Sequence, residues 1–439
     1  MPQPSLRTTL TPEEAYLWDC ARSWHAAVPP TAPGELDWQR VIDIGQSNRI
    51  QTLLHDVLLT RGLMAKLPPA SGDALQQDVA KLNENAANLG DALREYLRYA
   101  AERGLETVVL KGLSVSINVY GNPAIRPGGD IDLLVRRNQV QDSLAILNRM
   151  ELGQHWPNLL DDGYYQRHHL HLQRCTEDLK IWFEIHWALD HPYTLLTIDY
   201  EALMDRTTPS ELLGEPVNEL SLPDLLLSLA VHLVKHAVYL PSVLNRPDLA
   251  RIILADGMLI YYLDVAEVIK RHSGDIDWGF TVTLAQQSGA VDIFGSVFRV
   301  CHDFLDAPVP DWVLASLSVK KPGPVTRWAM NNMVEYELAT YLGEDRSSLW
   351  DFLVITNPAF ILRPIRVLDT AAYLFPGADF LRRRYGQASP VTAAKHLLRA
   401  LGQYGRLLID TVYYTWKRYR RLKALSRSAS LFSRLEVEA

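Results

Sequence analysis

Residues 107–135, TVVLKGLSVSINVYGNPAIRPGGDIDLLV, constrain this chain more than any other stretch. Asp130 and Asp132 stand one residue apart, and the apolar run Ile131, Leu133, Leu134, Val135 around them predicts a strand. Side chains alternate along a strand, so the two carboxylates share a face. Holding two like charges that close among apolar neighbours is costly unless a cation lies between them. The pair is therefore a candidate divalent-metal site. Upstream, the β-branched run ending at Leu110 reads as another strand that gives way at Lys111-Gly112. A glycine between a strand and a helix lets backbone N–H groups approach phosphate oxygens. Lys111 and Arg126 are the candidate phosphate cations, and Ser114 or Ser116 could add a hydroxyl.

A third acid follows. In KIWFEIHW (180–187), Glu184 sits between Phe183 and Ile185 and shares a strand face with Trp182 and His186. If the two strands are neighbours, Asp130, Asp132 and Glu184 converge. Three such carboxylates suit Mg²⁺ (or Mn²⁺), which takes carboxylate and phosphate oxygens and keeps several waters. Two ions about 3.5–4 Å apart stabilise both the attacking and the leaving oxygen of an in-line displacement. Phosphoryl and nucleotidyl transfer depend on that positioning more than on protein acids and bases.

The 439 residues are more than one core usually holds. Residues 1–103 read as helices, opening on a capping Thr11 with Pro12 at the first helical position. Residues 104–200 read as a small α/β unit. It contains the two strands, a helix over 139–150, and a hairpin from 168–174 and 180–187. Residues 201–345 return to helical periodicity after a capping Ser221, and 346–439 form a C-terminal helical segment with a basic tail. The fold class expected is α+β: a small mixed sheet flanked by N-terminal and C-terminal helical regions.

These motifs resemble a known family, the uncharacterised bacterial nucleotidyltransferases of the DNA-polymerase-β-like superfamily. The shared features are Leu110-Lys111-Gly112, Tyr120, the run Arg126-Pro127-Gly128-Gly129-Asp130-Ile131-Asp132-Leu133-Leu134-Val135, and Glu184-Ile185-His186-Trp187. The resemblance continues more loosely at His232, His236, Leu263-Asp264-Val265-Ala266 and Asp277-Trp278, over roughly residues 38–385. It implies a nucleotidyltransferase core in which Asp130, Asp132 and Glu184 bind two metals and Glu184 helps deprotonate an acceptor hydroxyl. It also implies an NTP donor, whereas the expectation that Lys111, Gly112, Ser114 and Arg126 lie near its phosphates rests on the local pattern and does not carry over from the family. One departure stands out. The Gly-Ser pair that usually grips the phosphates is replaced here by Lys111-Gly112, and the interval to Asp130 is longer than usual.

Plainer readings stay open at several positions. Lys111 could pair with one of the acids, Arg126 could brace its own loop, and Glu184 could be a hairpin acid paired with a nearby Arg or His. For His168, His169, His171 and His186 a structural or hydrogen-bonding role beside the acids is favoured over a zinc site. His169 and His171 are expected to share a face of the hairpin, but the sequence does not fix their register against His186. His232 and His236 lie four apart on an apolar helix and read as core or interdomain histidines.

Charge is unevenly spread. Residues 381–435 carry thirteen Lys/Arg against the single acid Asp410, whereas residues 1–380 have a balance of about −17. The tail's three readings are a solvated helix face, contact with an anionic partner (nucleic acid or membrane surface), and docking on the acidic body. Three dispersed cysteines exclude a disulfide framework and a Cys-based zinc cluster. With no signal-peptide pattern and no uninterrupted apolar span, a cytoplasmic setting is expected. The expected function is transfer of a nucleoside monophosphate from NTP to the hydroxyl of a small molecule, peptide, protein or RNA, with pyrophosphate leaving. Two alternatives differ in kind: a nucleotide- or partner-binding protein without turnover, and an adaptor that works through the basic tail.

Overall fold

The computed structural model describes residues 10–24, 35–126, 128–154, 162–342 and 370–435. Pro127 of the aspartate motif, residues 31–34 and residues 346–369 of the expected C-terminal segment lie outside the described residues. The fold is α+β, with helices surrounding a single six-stranded mixed sheet among the described residues. Its strands are β1 (Thr107–Val109), β2 (Ile131–Val135), β3 (His171–Cys175), β4 (Trp182–His186), β5 (Thr208–Leu212) and β6 (Glu215–Glu219). Their order in the sheet is β3-β4-β2-β1-β6-β5, with β2–β4 and β1–β6 parallel and the other neighbours antiparallel.

Alternation along these strands assigns each face of the sheet its own core. Val109, Ile131, Leu133, Val135, Phe183 and Ile185 pack together with Leu89, Leu93, Tyr96 and Leu97 of the helix Pro69–Glu102 and with Leu144 and Leu147 of the helix Val140–Arg149. On the opposite face Val108, Leu110 and Leu134 join the large core of the helical regions, including Leu229, Leu233 and Leu263. Asp132, Glu184 and His186 project from that second face, between sheet and helices.

Local signals account for where the helices start. Thr11 and Glu14 close a capping box on Pro12–Arg22, and the Ser221 hydroxyl accepts from the Asp224 N–H at the start of Leu222–His236. Two details differ from the sequence reading. His168 ends the helix Asp162–His168, and His169 precedes β3, so neither lies on a hairpin strand and His169 does not share a strand face with His171. The sheet also takes in β5–β6, from a segment read as the beginning of the helical region. Leu213 and Gly214 between them both have positive φ, 55° and 84°, as a tight two-residue hairpin turn requires.

The helix Pro390–Leu435 docks on the core through Asp410, which accepts from Arg167 Nε at 2.9 Å and lies 3.0 Å from His168 Nε2. Among the described residues this helix thus meets the body through the tail's single acid, with Tyr414 accepting from Arg167 beside it. Among the described residues no helix is long and apolar enough to cross a membrane.

Candidate active site

The register places the acids. Asp132 is the parallel partner of Glu184, which is in turn the antiparallel partner of Gln173. Two residue pairs along, and so on the same face, His186 faces His171. Polar side chains therefore form two short rows on one face, Asp132-Glu184-Gln173 across β2, β4 and β3 and His186-His171 across β4 and β3. Asp130, immediately before β2, completes a group with Asp132 and Glu184 in which one oxygen from each lies within 4.8 Å of the others. The expected triad is brought together.

Its charges are partly compensated from within. The Lys111 ammonium lies 2.7 Å from Asp132 Oδ2 and 3.9 Å from Asp130 Oδ2. His186 Nε2 lies 3.0 Å from Asp132 Oδ1 and 3.2 Å from Glu184 Oε2, and Gln173 donates to Glu184 Oε1 at 2.5 Å. Burial opposes ionisation of Asp132, but Lys111 and His186 outweigh it and hold its pKa well below the usual range. Glu184 is lowered in the same way, burial being outweighed chiefly by the hydrogen bond from His186. Asp130 moves the other way: burial, then repulsion from Asp132, pushes it up to about 6. Burial works against a charged His186, yet its hydrogen bonds to Asp132 and Glu184 raise its pKa. Burial pushes His171 down to about 4 and thus keeps it neutral.

Residues 110–126 wrap one side of the triad. The Leu110 N–H donates to Asp132 O at 3.0 Å, tying the end of β1 to β2. Gly112 then turns with φ 61° and ψ −117°, a combination open to glycine and strained for other residues. Ser114 is half-buried in the short helix Leu113–Val115. Ser116 is buried and donates to the Arg126 carbonyl at 3.5 Å, so its hydroxyl is engaged with the loop. Arg126 lies on Asp264, with Nε 2.5 Å from Oδ2, while Tyr120 donates to Asp264 Oδ1 at 3.2 Å. This buried trio clamps the loop onto the helix Leu259–Arg271.

The helix Leu222–His236 faces the triad with residues that the sequence did not single out as a set. Lys235 and His236 are exposed, and His236 stacks on Tyr261 with centroids 5.5 Å apart and planes 3° from parallel. Half-buried His232 has its pKa well below the ordinary value, first by burial and then by the nearby Lys111 charge. His236 is thus a surface residue rather than a core histidine. The signal for Lys235 and Gln173 was weak: a lone lysine on an apolar helix, and a glutamine on a strand of unknown register. A cavity of about 550 Å³ opens near the far ends of β2 and β4, among Arg137, His169, Trp187, Asp190 and Tyr200, but none of the three carboxylates lines it. Chemistry rather than volume marks the candidate site.

The comparison with known families agrees with this geometry. A family model described as uncharacterised nucleotidyltransferase matches residues 34–306, which include the whole sheet, the triad and the facing helices. The chain belongs to that nucleotidyltransferase family. Searches of curated proteins and of solved structures give no match. The family region holds all four conspicuous site groups: the carboxylates, the Lys111-Gly112 turn, the Arg126–Asp264 clamp and the His232–His236 face. The helix that carries Asp410 lies beyond it.

The triad also passes a chemical test for divalent metal. Its donors are carboxylate oxygens, the ligands that hard dications take. Buried Asp132 Oδ2 accepts no well-directed hydrogen bond, although the Lys111 charge lies close by.

Proposed function

We propose that this protein transfers a nucleoside monophosphate from an NTP to an acceptor hydroxyl, with pyrophosphate as the leaving group. The observation that carries this reading is the convergence of Asp130, Asp132 and Glu184 on one face of the sheet, with ligand oxygens within 4.8 Å. Mg²⁺ or Mn²⁺ held by these three carboxylates would neutralise phosphate charge and favour in-line displacement. Glu184, held ionised by His186 and oriented by Gln173, accepts the proton of the attacking hydroxyl. Lys111 leaves Asp132 for the triphosphate once its counter-charge is no longer needed there. The Gly112 turn and Ser114 offer backbone and hydroxyl donors on the same side. Arg126, fixed by Asp264, sets the position of the loop beside the phosphates and adds its charge. The basic C-terminal helix would meet an anionic partner.

The test uses purified protein with labelled NTPs, Mg²⁺ and a cell extract. A labelled acceptor is expected, and Asp130→Asn or Asp132→Asn should abolish it. Labelling that survives both substitutions would sink the proposal. One observation supports a second reading, in which the fold binds nucleotide without turnover: Lys111, 2.7 Å from Asp132, already compensates the most buried carboxylate. Calorimetric NTP binding without pyrophosphate release over any acceptor would favour that reading.

A further inference from the structure

The face that carries the triad also carries a second group of a different kind. His171 and His186 are cross-strand partners on β3 and β4, with ring centroids 4.8 Å apart. One donor atom from each, with one from Glu184, lies within 4.8 Å of the others. Glu184 Oε2 is 3.2 Å from His186 Nε2 and 3.7 Å from His171 Nδ1. Ligands on a tetrahedral Zn²⁺ with bonds of about 2.0–2.1 Å stand about 3.3 Å apart, so these spacings need little adjustment. His171 Nδ1, the atom facing Glu184, is buried and makes no hydrogen bond. The other carboxylate oxygen, Glu184 Oε1, is held by Gln173, which leaves Oε2 directed at the two rings. That is the way an outer hydrogen bond orients a metal ligand. Asp132 Oδ1, 3.0 Å from His186 Nε2, supplies a further oxygen at the edge of the group.

We propose that His171, Glu184 and His186 bind a first-row transition-metal dication of the Zn²⁺ class, beside the all-oxygen site of Asp130 and Asp132. Two imidazoles and one carboxylate suit Zn²⁺, Fe²⁺ or Ni²⁺, whereas Mg²⁺ prefers oxygens alone. The two sites share Glu184, so the protein would discriminate between metals across a single strand. The assignment goes beyond nucleotidyl transfer and does not depend on it, because the metal can be measured without nucleotide.

Co²⁺ is the probe, since its visible ligand-field absorption reports nitrogen donors and low coordination number. Full-length protein stripped with chelator is titrated with Co²⁺ in the absence of NTP, and Zn²⁺ is then added. A tight equivalent with intense visible bands that Zn²⁺ bleaches is expected. His171→Gln and His186→Gln should each weaken it by more than about a hundredfold, beyond the loss typical of outer-shell changes. Asp130→Asn should leave the bands in place while removing nucleotidyl transfer, which separates failure of this site from failure of the catalytic reading. His171 is the safer variant for folding because its Nδ1 makes no hydrogen bond, and matching urea curves in chelator establish that the variant folds. Absent bands, bands that persist in both histidine variants, or bands lost equally in Asp130→Asn would overturn the proposal.

Discussion

The Lys111 ammonium lies 2.7 Å from Asp132 Oδ2, in a pair whose carboxylate side chain is 1% exposed and whose lysine is 13% exposed. A metal-free protein with three clustered carboxylates needs such an internal cation. Lys111→Met should therefore destabilise the chelated protein by about 3–5 kcal/mol, the usual cost of leaving one member of a buried pair alone. Millimolar Mg²⁺ should restore much of that loss by taking over the charge, because a ligand that binds only the folded state stabilises it. Urea denaturation with and without Mg²⁺ measures both effects. A variant no more responsive to Mg²⁺ than the parent would remove Lys111 from this role.

Gly112 lies beside the pair and has a different constraint. A Cβ there would meet only the Asp130 carbonyl at 3.7 Å and Arg126 Nη1 at 3.9 Å, ordinary contacts, so space does not demand glycine. The backbone does, with φ 61° and ψ −117°. Gly112→Ala should cost about 1–3 kcal/mol through strain alone. Gly129→Ala, where a Cβ meets nothing within 4 Å, should change stability by less than about 0.5 kcal/mol. Parallel denaturation curves compare the two; equal losses would show that the turn is not strained.

These residues also show which parts of the structure could be read from the sequence. Asp130, Asp132 and Glu184 were legible because polar residues alternate with apolar ones that must be buried, which fixes a face without knowing the partner strand. The strands β1 to β4 and the helix Val140–Arg149 follow from the same periodicities. Register was not legible. Whether His171 meets His186, or Gln173 meets Glu184, depends on pairing that the turn at residues 176–181 does not specify. Asp264 is 138 positions from Arg126, and no local pattern announces a partner at that distance. The β5–β6 hairpin was hidden by Pro209 and Pro216 and by its polar edge, with Gly214 as its one local signal.

The Arg126–Asp264 clamp gives a test of the loop's architecture. Both side chains are buried, 7% and 1% exposed, and Tyr120 bonds the same carboxylate. Asp264→Ala should cost about 3–5 kcal/mol by leaving the guanidinium uncompensated. Adding Arg126→Met should recover part of the loss, so the double variant should be more stable than the sum of the singles predicts. Strict additivity in a double-mutant cycle would mean the pair does not act as a unit.

The Asp410 contact makes tail docking sensitive to acid. Burial opposes its ionisation, but His168, Arg406 and Arg167 outweigh burial and hold its pKa at about 2. An ordinary aspartate titrates near roughly 3.9. Because the folded-state value is the lower one, the ionised carboxylate stabilises the docked state above about pH 4, and that contribution is lost as pH falls through about 2. Asp410→Asn should therefore weaken docking at neutral pH. Its stability curve should converge on that of the parent as the solution is acidified, because protonation removes the same charge from the parent. Limited pepsin digestion across this acidic range, scored for cleavage within residues 390–420, reads the docked fraction directly. Curves that stay parallel to about pH 2 would show that the Asp410 charge does not hold the helix to the core.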